Sequence, residues 1–153
     1  MDMLIKLYAL PGPDAGASSP PCAIRKPIGP EHDLVIEWIA QESSPGWASE
    51  ARVALGNRPI GLYIALCQRR LAGFCCYDAT ARGFVGPIGV AESARGRGIG
   101  AALLHACLGD MQAVGYAYAV AGAVGAPEFF RRVAGAVEIE GSSPGLYRDM
   151  LRP

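Results

Sequence analysis

The connection between an apolar run and the chain's best helical pattern reads Ile88-Gly89-Val90-Ala91-Glu92-Ser93-Ala94-Arg95-Gly96-Arg97-Gly98-Ile99-Gly100. The apolar run, residues 84–90, predicts a β-strand that Pro87 interrupts. After the connection, the recurrence of apolar side chains at helical spacing predicts a helix over residues 99–114, which Gly115 ends. The quoted residues therefore join a strand to a helix, with three glycines where the helix starts.

The glycines of this connection suit a site for an anion. Backbone N–H groups at a helix start have no intrahelical partner and lie at the positive end of the helix dipole. Gly96, Gly98 and Gly100 let such groups approach a ligand without a Cβ in the way, and Arg95 and Arg97 add positive charge. Because a glycine inside a helix costs about 1 kcal/mol relative to alanine, we interpret the three glycines as a site for a phosphate or pyrophosphate.

Two known anion-binding patterns fit these residues poorly. The P-loop pattern needs Lys followed by Ser or Thr, and the chain contains no such pair. The dinucleotide fingerprint G-x-G-x-x-G/A matches Gly96, Gly98 and Ala101, but its first glycine should directly follow the strand that here ends at Val90. The next predicted strand, residues 116–124, also lacks an acidic residue for a ribose. Dinucleotide binding is therefore the least favoured alternative.

A third pattern, R-x-x-G-x-G, is present as Arg95-Gly96-Arg97-Gly98-Ile99-Gly100 and resembles the signature of the GNAT superfamily of acyl-CoA N-acyltransferases. The strand before it and the helix and strand after it have the family's order and spacing. Residues 126–136 resemble the family's second cofactor motif. The resemblance covers about residues 60–151.

The resemblance implies a cofactor, a site and a reaction. Acetyl-CoA, or another acyl-CoA, would be the donor, with its pyrophosphate on the backbone of residues 95–100. Its pantetheine arm would pair with the strand as an added strand does. The binding residues are then Ile88, Gly89 and Val90 together with Arg95, Gly96, Arg97, Gly98, Ile99 and Gly100. An N–H near Val90 would stabilise the oxyanion while a primary amine attacks the thioester directly in a ternary complex.

Two residues depart from the family pattern. Many members carry a Tyr that protonates the departing thiolate and an Asn seven residues before it, whereas this chain has Phe130 and Ala123 there. Tyr147 and Tyr77 are substitute acids, and Glu92 is a candidate base acting through water. The alternative function, from a different class, is a catalytically weak CoA-binding module that senses or regulates.

The sequence says less about the acceptor and about the oligomeric state. The resemblance implies that a small-molecule or peptide amine enters beside the first two helices and the last hairpin. The loops expected there are residues 43–47 and 142–145, with Trp47 as a candidate wall. The sequence leaves the oligomeric state open between a monomer and a homodimer.

Working outward, the sequence predicts one α/β domain over residues 1–153. An extra strand (residues 3–10) and a loop (residues 11–21) precede two helices, three strands, the long helix, a strand, a short helix and a closing hairpin formed by residues 136–140 and 146–151. The strand–helix–strand unit after residue 84 must be a right-handed parallel crossover, and its neighbours antiparallel. These connections predict one mixed sheet with helices on both faces, and the resemblance implies a GNAT-like, mostly antiparallel sheet whose one parallel pair is splayed.

Composition excludes several partners. Lys plus Arg and Asp plus Glu each number 14, so the net charge is zero, which argues against nucleic-acid or anionic-membrane binding. No apolar stretch is long enough to cross a bilayer, and the N-terminus lacks a signal-peptide core, so we expect a soluble cytoplasmic protein. The five cysteines have no CxxC spacing; we expect neither a disulfide framework nor a metal, and interpret them as buried apolar side chains.

Overall fold

A computed structural model describes residues 1–12 and 22–153. In this part of the chain the strands are Met3–Lys6 (β1), Ala23–Arg25 (β2), Leu62–Cys67 (β3), Arg70–Tyr77 (β4), Phe84–Val90 (β5), Tyr118–Ala121 (β6) and Val137–Glu138 (β7). The helices are His32–Glu42 (α1), Pro45–Gly56 (α2), Ile99–Ala113 (α3) and Pro127–Ala134 (α4). Most of the predicted loop over residues 11–21 lies outside the described residues.

The strands form one mixed sheet in the order β2-β3-β4-β5-β6-β1-β7. Strands β5 and β6 are parallel, and every other pair of neighbours is antiparallel. Helix α3 connects the two parallel strands, so the predicted parallel pairing across this helix is confirmed. The sheet is therefore the mostly antiparallel sheet with one parallel pair that the sequence predicts.

Helices cover both faces of the sheet, as predicted. Strand residues alternate between the faces, so Phe74 packs with α1 and α2 while its neighbour Cys75 packs with α3. On the α3 face the helix buries Leu103, Leu104 and Cys107 completely. Each layer therefore has its own apolar core, and β5 with its partners β4 and β6 runs between the two layers.

The N-terminal strand β1 lies inside the sheet, between β6 and β7. Met3 and Ile5 are fully buried there, and the chain leaves the strand after Lys6 in a short 3-10 helix, Leu7–Ala9. The predicted closing hairpin is wrong, because β1 occupies the place beside β7 that the last segment was expected to fill. That segment forms a 3-10 helix, Gly145–Tyr147, instead of a strand.

The prediction for the cysteines is wrong for two of them. Cys22 and Cys67 form a disulfide, with their Cα atoms 4.4 Å apart across the neighbouring strands β2 and β3. They are 45 residues apart in sequence, so short-range spacing could not detect the pair. Cys75, Cys76 and Cys107 are buried free thiols, as expected.

Candidate active site

The parallel strands β5 and β6 diverge soon after they meet. Their register pairs Phe84 with Val120 and Val85 with Ala121, and it assigns no later residue of β5 a partner on β6. A cavity of about 850 Å³ opens beyond this point, between residues 86–90 of β5 and residues 121–126. The two parallel strands therefore separate as the resemblance implied, and the gap between them is a cleft in the sheet.

The edge of β5 offers backbone donors to this cleft. Ala91 N–H donates to the Ala72 carbonyl of β4, at 2.8 Å, and Val90 is in register with Gly73. Because N–H groups alternate in direction along a strand, those of Val90 and Ile88 point away from β4, into the cleft. Ile88, Gly89 and Val90 all line the cavity.

The start of α3 forms one end of the cleft. Gly98 precedes the helix with φ +77°, and Gly96 has φ +78°, which is the left-handed region where glycine costs least. Ala102 N–H donates to the Gly98 carbonyl, so the N–H groups of Ile99 and Gly100, in the first turn, have no intrahelical acceptor. These are the donors that an anion at this end of the cleft would use.

The two arginines of the connection differ in position. Arg95 lines the cavity, and its Nε donates to the Val90 carbonyl at 3.2 Å. Arg97 is exposed and does not line the cavity. Of the predicted cofactor residues, all except Arg97 line this cavity: Ile88, Gly89, Val90, Arg95, Gly96, Gly98, Ile99 and Gly100.

The cleft continues to the face covered by α1 and α2. Trp38, Glu42, Ser43 and Trp47 line it there. A Cβ on Gly89 would lie 3.4 Å from the Trp47 ring and 3.5 Å from Ser43 Oγ, so these side chains stand directly against β5. Trp47 was predicted as a wall, whereas the sequence analysis singled out neither Trp38 nor Glu42.

The helix α4 brings no hydroxyl group to the cleft. Phe130 and its neighbour Phe129 line the cavity, their rings edge-to-face with centroids 5.2 Å apart. Ala123, at the position where the resemblance implied an Asn, also lines the cavity but offers only its backbone and a methyl group. The two departures from the family pattern therefore lie at the site itself.

Tyr147 does not itself line the cavity, but its phenol oxygen lies next to Gly122, which does. A Cβ on Gly122 would lie only 2.7 Å from the phenol oxygen. Burial raises the pKa of Tyr147, and the negative charges of Glu50 and Asp2 raise it further, against the opposing effect of a Thr80 hydrogen bond. Thr80 in turn donates to the carboxylate of Glu50. The phenol therefore keeps its proton at neutral pH.

The other catalytic candidates lie away from the cleft. Glu92 is exposed, in the 3-10 helix Glu92–Ala94, and does not line the cavity. Tyr77 is buried on the α3 face, where its hydroxyl donates to Asp110 at 3.0 Å. Although burial alone would raise the pKa of Asp110, hydrogen bonds from Lys26, Tyr63 and Tyr77 lower it. Tyr77 belongs to this structural network.

No group of three or more His, Cys, Asp or Glu residues that could hold a metal ion occurs in the described ranges 1–12 and 22–153. Within the same ranges, none of the helices is sufficiently long and apolar to cross a membrane.

A family model described as the acetyltransferase (GNAT) family matches residues 28–135. This chain belongs to the GNAT family. The match includes the connection before α3, both sides of the cleft and α4. It ends before Tyr147, and it begins after β1. A search of curated proteins finds no match.

Solved structures of GNAT proteins share the fold. A GCN5-related glucosamine N-acetyltransferase region of a fungal multi-domain GH3 β-N-acetylglucosaminidase has a TM-score of 0.70 at 16% identity, covering 87% of this chain and 19% of that one. A GCN5-related N-acetyltransferase from Sphaerobacter thermophilus has a TM-score of 0.65 at 23% identity, covering 89% and 47%. An Escherichia coli family member solved with CoA has a TM-score of 0.50 at 17% identity, covering 65% and 61%. The chain thus spans less than two thirds of each neighbour.

Proposed function

We propose that this GNAT chain is an N-acetyltransferase that moves the acetyl group of acetyl-CoA to a primary amine by direct attack in a ternary complex. The observation that carries the proposal is the continuous cleft between β5 and β6. One end of the cleft has the free N–H groups of α3, and the other end opens between Trp38 and Trp47. A donor and an acceptor can therefore approach the same strand edge from opposite faces of the sheet.

The donor occupies the α3 end. Its pyrophosphate accepts hydrogen bonds from the N–H groups that follow Gly96, and the cation of Arg95 balances part of its charge. The pantetheine arm lies along β5 and pairs with the N–H of Ile88, in the manner of an added strand. The thioester carbonyl then lies near Val90, whose N–H is the donor that stabilises the oxyanion.

The acceptor occupies the α1–α2 end. Trp38 and Trp47 stand edge-on to the same ring, Phe74, with centroid distances of 6.4 and 6.1 Å. They form an apolar wall with the Glu42 carboxylate at its rim, which suits an amine carried on an apolar group. Such an amine, once deprotonated, attacks the thioester carbon while held in place, and positioning supplies much of the rate.

The chemistry needs one proton for the leaving group. The neutral amine nitrogen bonds to the thioester carbon and gives up one proton to solvent, the tetrahedral intermediate collapses, and the C–S bond breaks to give the amide and CoA thiolate. Of the two substitute acids, Tyr147 and Tyr77, the position beside Gly122 favours Tyr147 as the donor of that proton, and its raised pKa keeps the phenol protonated. Glu92, the candidate base acting through water, is exposed and does not line the cavity.

A second candidate function, a CoA-binding module with little catalysis, is favoured by Phe130 and Ala123, which bring no acid or amide to the cleft. Release of CoA thiol from acetyl-CoA, measured across a panel of arylalkyl amines, alkyl amines, amino acids and amino sugars, separates the two. Acceleration by at least one amine class supports the enzyme. Saturable acetyl-CoA binding without acceleration by any amine supports the module and overturns the enzyme.

A further inference from the structure

Asp2 is the charged residue that the described part of the chain buries most deeply, with 8% of its surface exposed. It immediately precedes β1, in the segment that the family match does not include. A buried carboxylate is expensive unless hydrogen bonds satisfy it. The partners of Asp2 therefore indicate what it does in the fold.

The hydrogen bonds of Asp2 join two segments that are distant in sequence. Its side-chain Oδ1 accepts from Ala123 N–H at 2.9 Å. Its own N–H donates to Ser142 Oγ at 2.8 Å, and its carbonyl accepts from Ile139 N–H at 2.9 Å. One residue thus ties the turn after β6 to the segment after β7.

The turn that Asp2 holds is a wall of the cleft. Residues 121–126 line the cavity opposite β5, and within them Ala123 adopts φ +46°. Residues other than glycine are disfavoured in this left-handed region, so the bend needs support from its surroundings. The Asp2 bond to Ala123, and the Met1 carbonyl that accepts from Val124 N–H at 2.9 Å, direct the chain towards β1 and away from β5.

We propose that Asp2 is a positioning residue that holds the β6 wall away from β5 and so keeps the acyl-CoA cleft open. This inference rests on the proposed function, because it assigns Asp2 a role in the binding of acetyl-CoA. The carboxylate acts through the Ala123 backbone and touches neither donor nor acceptor. The N-terminal strand therefore supplies one determinant of cofactor affinity.

The test is the dissociation constant for acetyl-CoA, measured by calorimetry for wild type, Asp2→Ala and Asp2→Asn. Loss of the acceptor leaves the Ala123 N–H unpaired, so D2A should bind about tenfold more weakly. D2N keeps an acceptor oxygen of the same reach and should bind within about threefold of wild type. With an amine that the panel identifies, KM for acetyl-CoA should rise in D2A while kcat at saturation changes less.

Glu31→Ala is the matched control. Glu31 is also a carboxylate that accepts from a backbone N–H, that of Ile28 at 2.8 Å, but it does not line the cleft. The E31A variant should bind acetyl-CoA with the same affinity as the wild type. Should D2A fail to fold, Ser142→Ala loosens the same residue by removing the acceptor of Asp2 N–H, and should weaken binding about threefold.

The outcomes are separable. If the wild type binds acetyl-CoA and D2A binds it equally well, or D2N binds it as weakly as D2A, the inference about Asp2 is overturned and the proposed function stands. The same holds if D2A does not fold and S142A binds acetyl-CoA as the wild type does. A wild-type protein that does not bind acetyl-CoA overturns the proposed function and this inference with it.

Discussion

The Tyr147 hydroxyl oxygen lies 2.7 Å from the point that a Cβ atom on Gly122 would occupy. The Phe84 ring approaches the same point to 2.9 Å. Position 122 therefore accommodates glycine and excludes every other residue unless these rings move. Since Gly122 also lines the cleft, the absence of a side chain there is what brings the phenol to its edge.

Replacement of Gly122 by alanine should displace Tyr147 and Phe84. We expect a loss of about 1–3 kcal/mol in the free energy of unfolding, from overpacking, and a fall in kcat, both measured on the purified variant. Gly109→Ala is the control: it lies on the exposed side of α3 with no atom within 4 Å of the new Cβ, and should stabilise by about 0.5–1 kcal/mol. A G122A protein with wild-type stability and activity would contradict the packing described.

Tyr147→Phe removes the proposed proton donor and keeps the ring. Loss of a general acid lowers kcat by about 10²-fold or more, whereas affinity for acetyl-CoA should stay within about twofold, because the phenol is not at the α3 end. Since the pKa of Tyr147 is raised, its protonated, active form persists to higher pH than that of an ordinary tyrosine. The wild-type rate should therefore show no loss from this group between neutral pH and the usual tyrosine pKa. Full activity in Y147F would rule out the assigned role.

Gly98→Ala tests the conformation of the anion-binding turn. A Cβ at Gly98 meets no atom within 4 Å, but φ is +77°, so alanine costs about 1–2 kcal/mol of backbone strain. If the turn relaxes to relieve this strain, its N–H groups no longer converge, and we expect about tenfold weaker CoA binding. Gly56→Ala, at the end of α2 and also free of contacts, should bind CoA as wild type does. Equal affinities for the two variants would argue against the site.

The disulfide joins Cys22 and Cys67, which are 45 residues apart in sequence. Its reduction, or the double change of both residues to serine, should lower the free energy of unfolding by about 2–4 kcal/mol. Urea unfolding with and without reductant measures the difference. The double serine variant should not respond to reductant; a response there, or none in wild type, would be inconsistent with the assigned bond.

Glu31 links stability to pH. Hydrogen bonds from Arg25 and from Ile28 N–H lower its pKa from 4.5 to about 2. The unfolded chain binds a proton more readily, so the contribution is complete above pH 4.5 and disappears as pH falls through about 2. In urea unfolding, wild type should exceed Glu31→Gln in stability at pH 6, and the difference should shrink towards pH 2. A difference that is constant with pH would contradict the pKa.

Local patterns were sufficient to predict much of this molecule. Helix α3 was expected over residues 99–114 and spans Ile99–Ala113. It was predictable because the spacing of its apolar residues and its terminal glycine are features of one continuous segment. The glycine-rich connection was recognisable for the same reason. The crossover rule predicted that the strands on either side of α3 are parallel, and the family resemblance implied that they splay.

Features that depend on distant contacts were not predictable. Nothing in residues 3–10 indicates that they insert between β6 and β7. The closing hairpin was expected because residues 141–145, Gly-Ser-Ser-Pro-Gly, are typical of a turn between two strands. The Cys22–Cys67 bond and the Asp2 contacts likewise join residues from different parts of the chain. Trp38 was not predicted as a site residue, since helical spacing does not reveal which face of a helix a cleft will reach.

The account depends most on the claim that the cleft between β5 and β6 binds acetyl-CoA. A thermal unfolding titration of the wild-type protein with acetyl-CoA, CoA and NAD tests it directly, because a ligand that binds only the folded state raises the unfolding temperature. The account predicts a saturable rise with acetyl-CoA and CoA and none with NAD. No rise with either CoA species, or a rise with NAD alone, would contradict it.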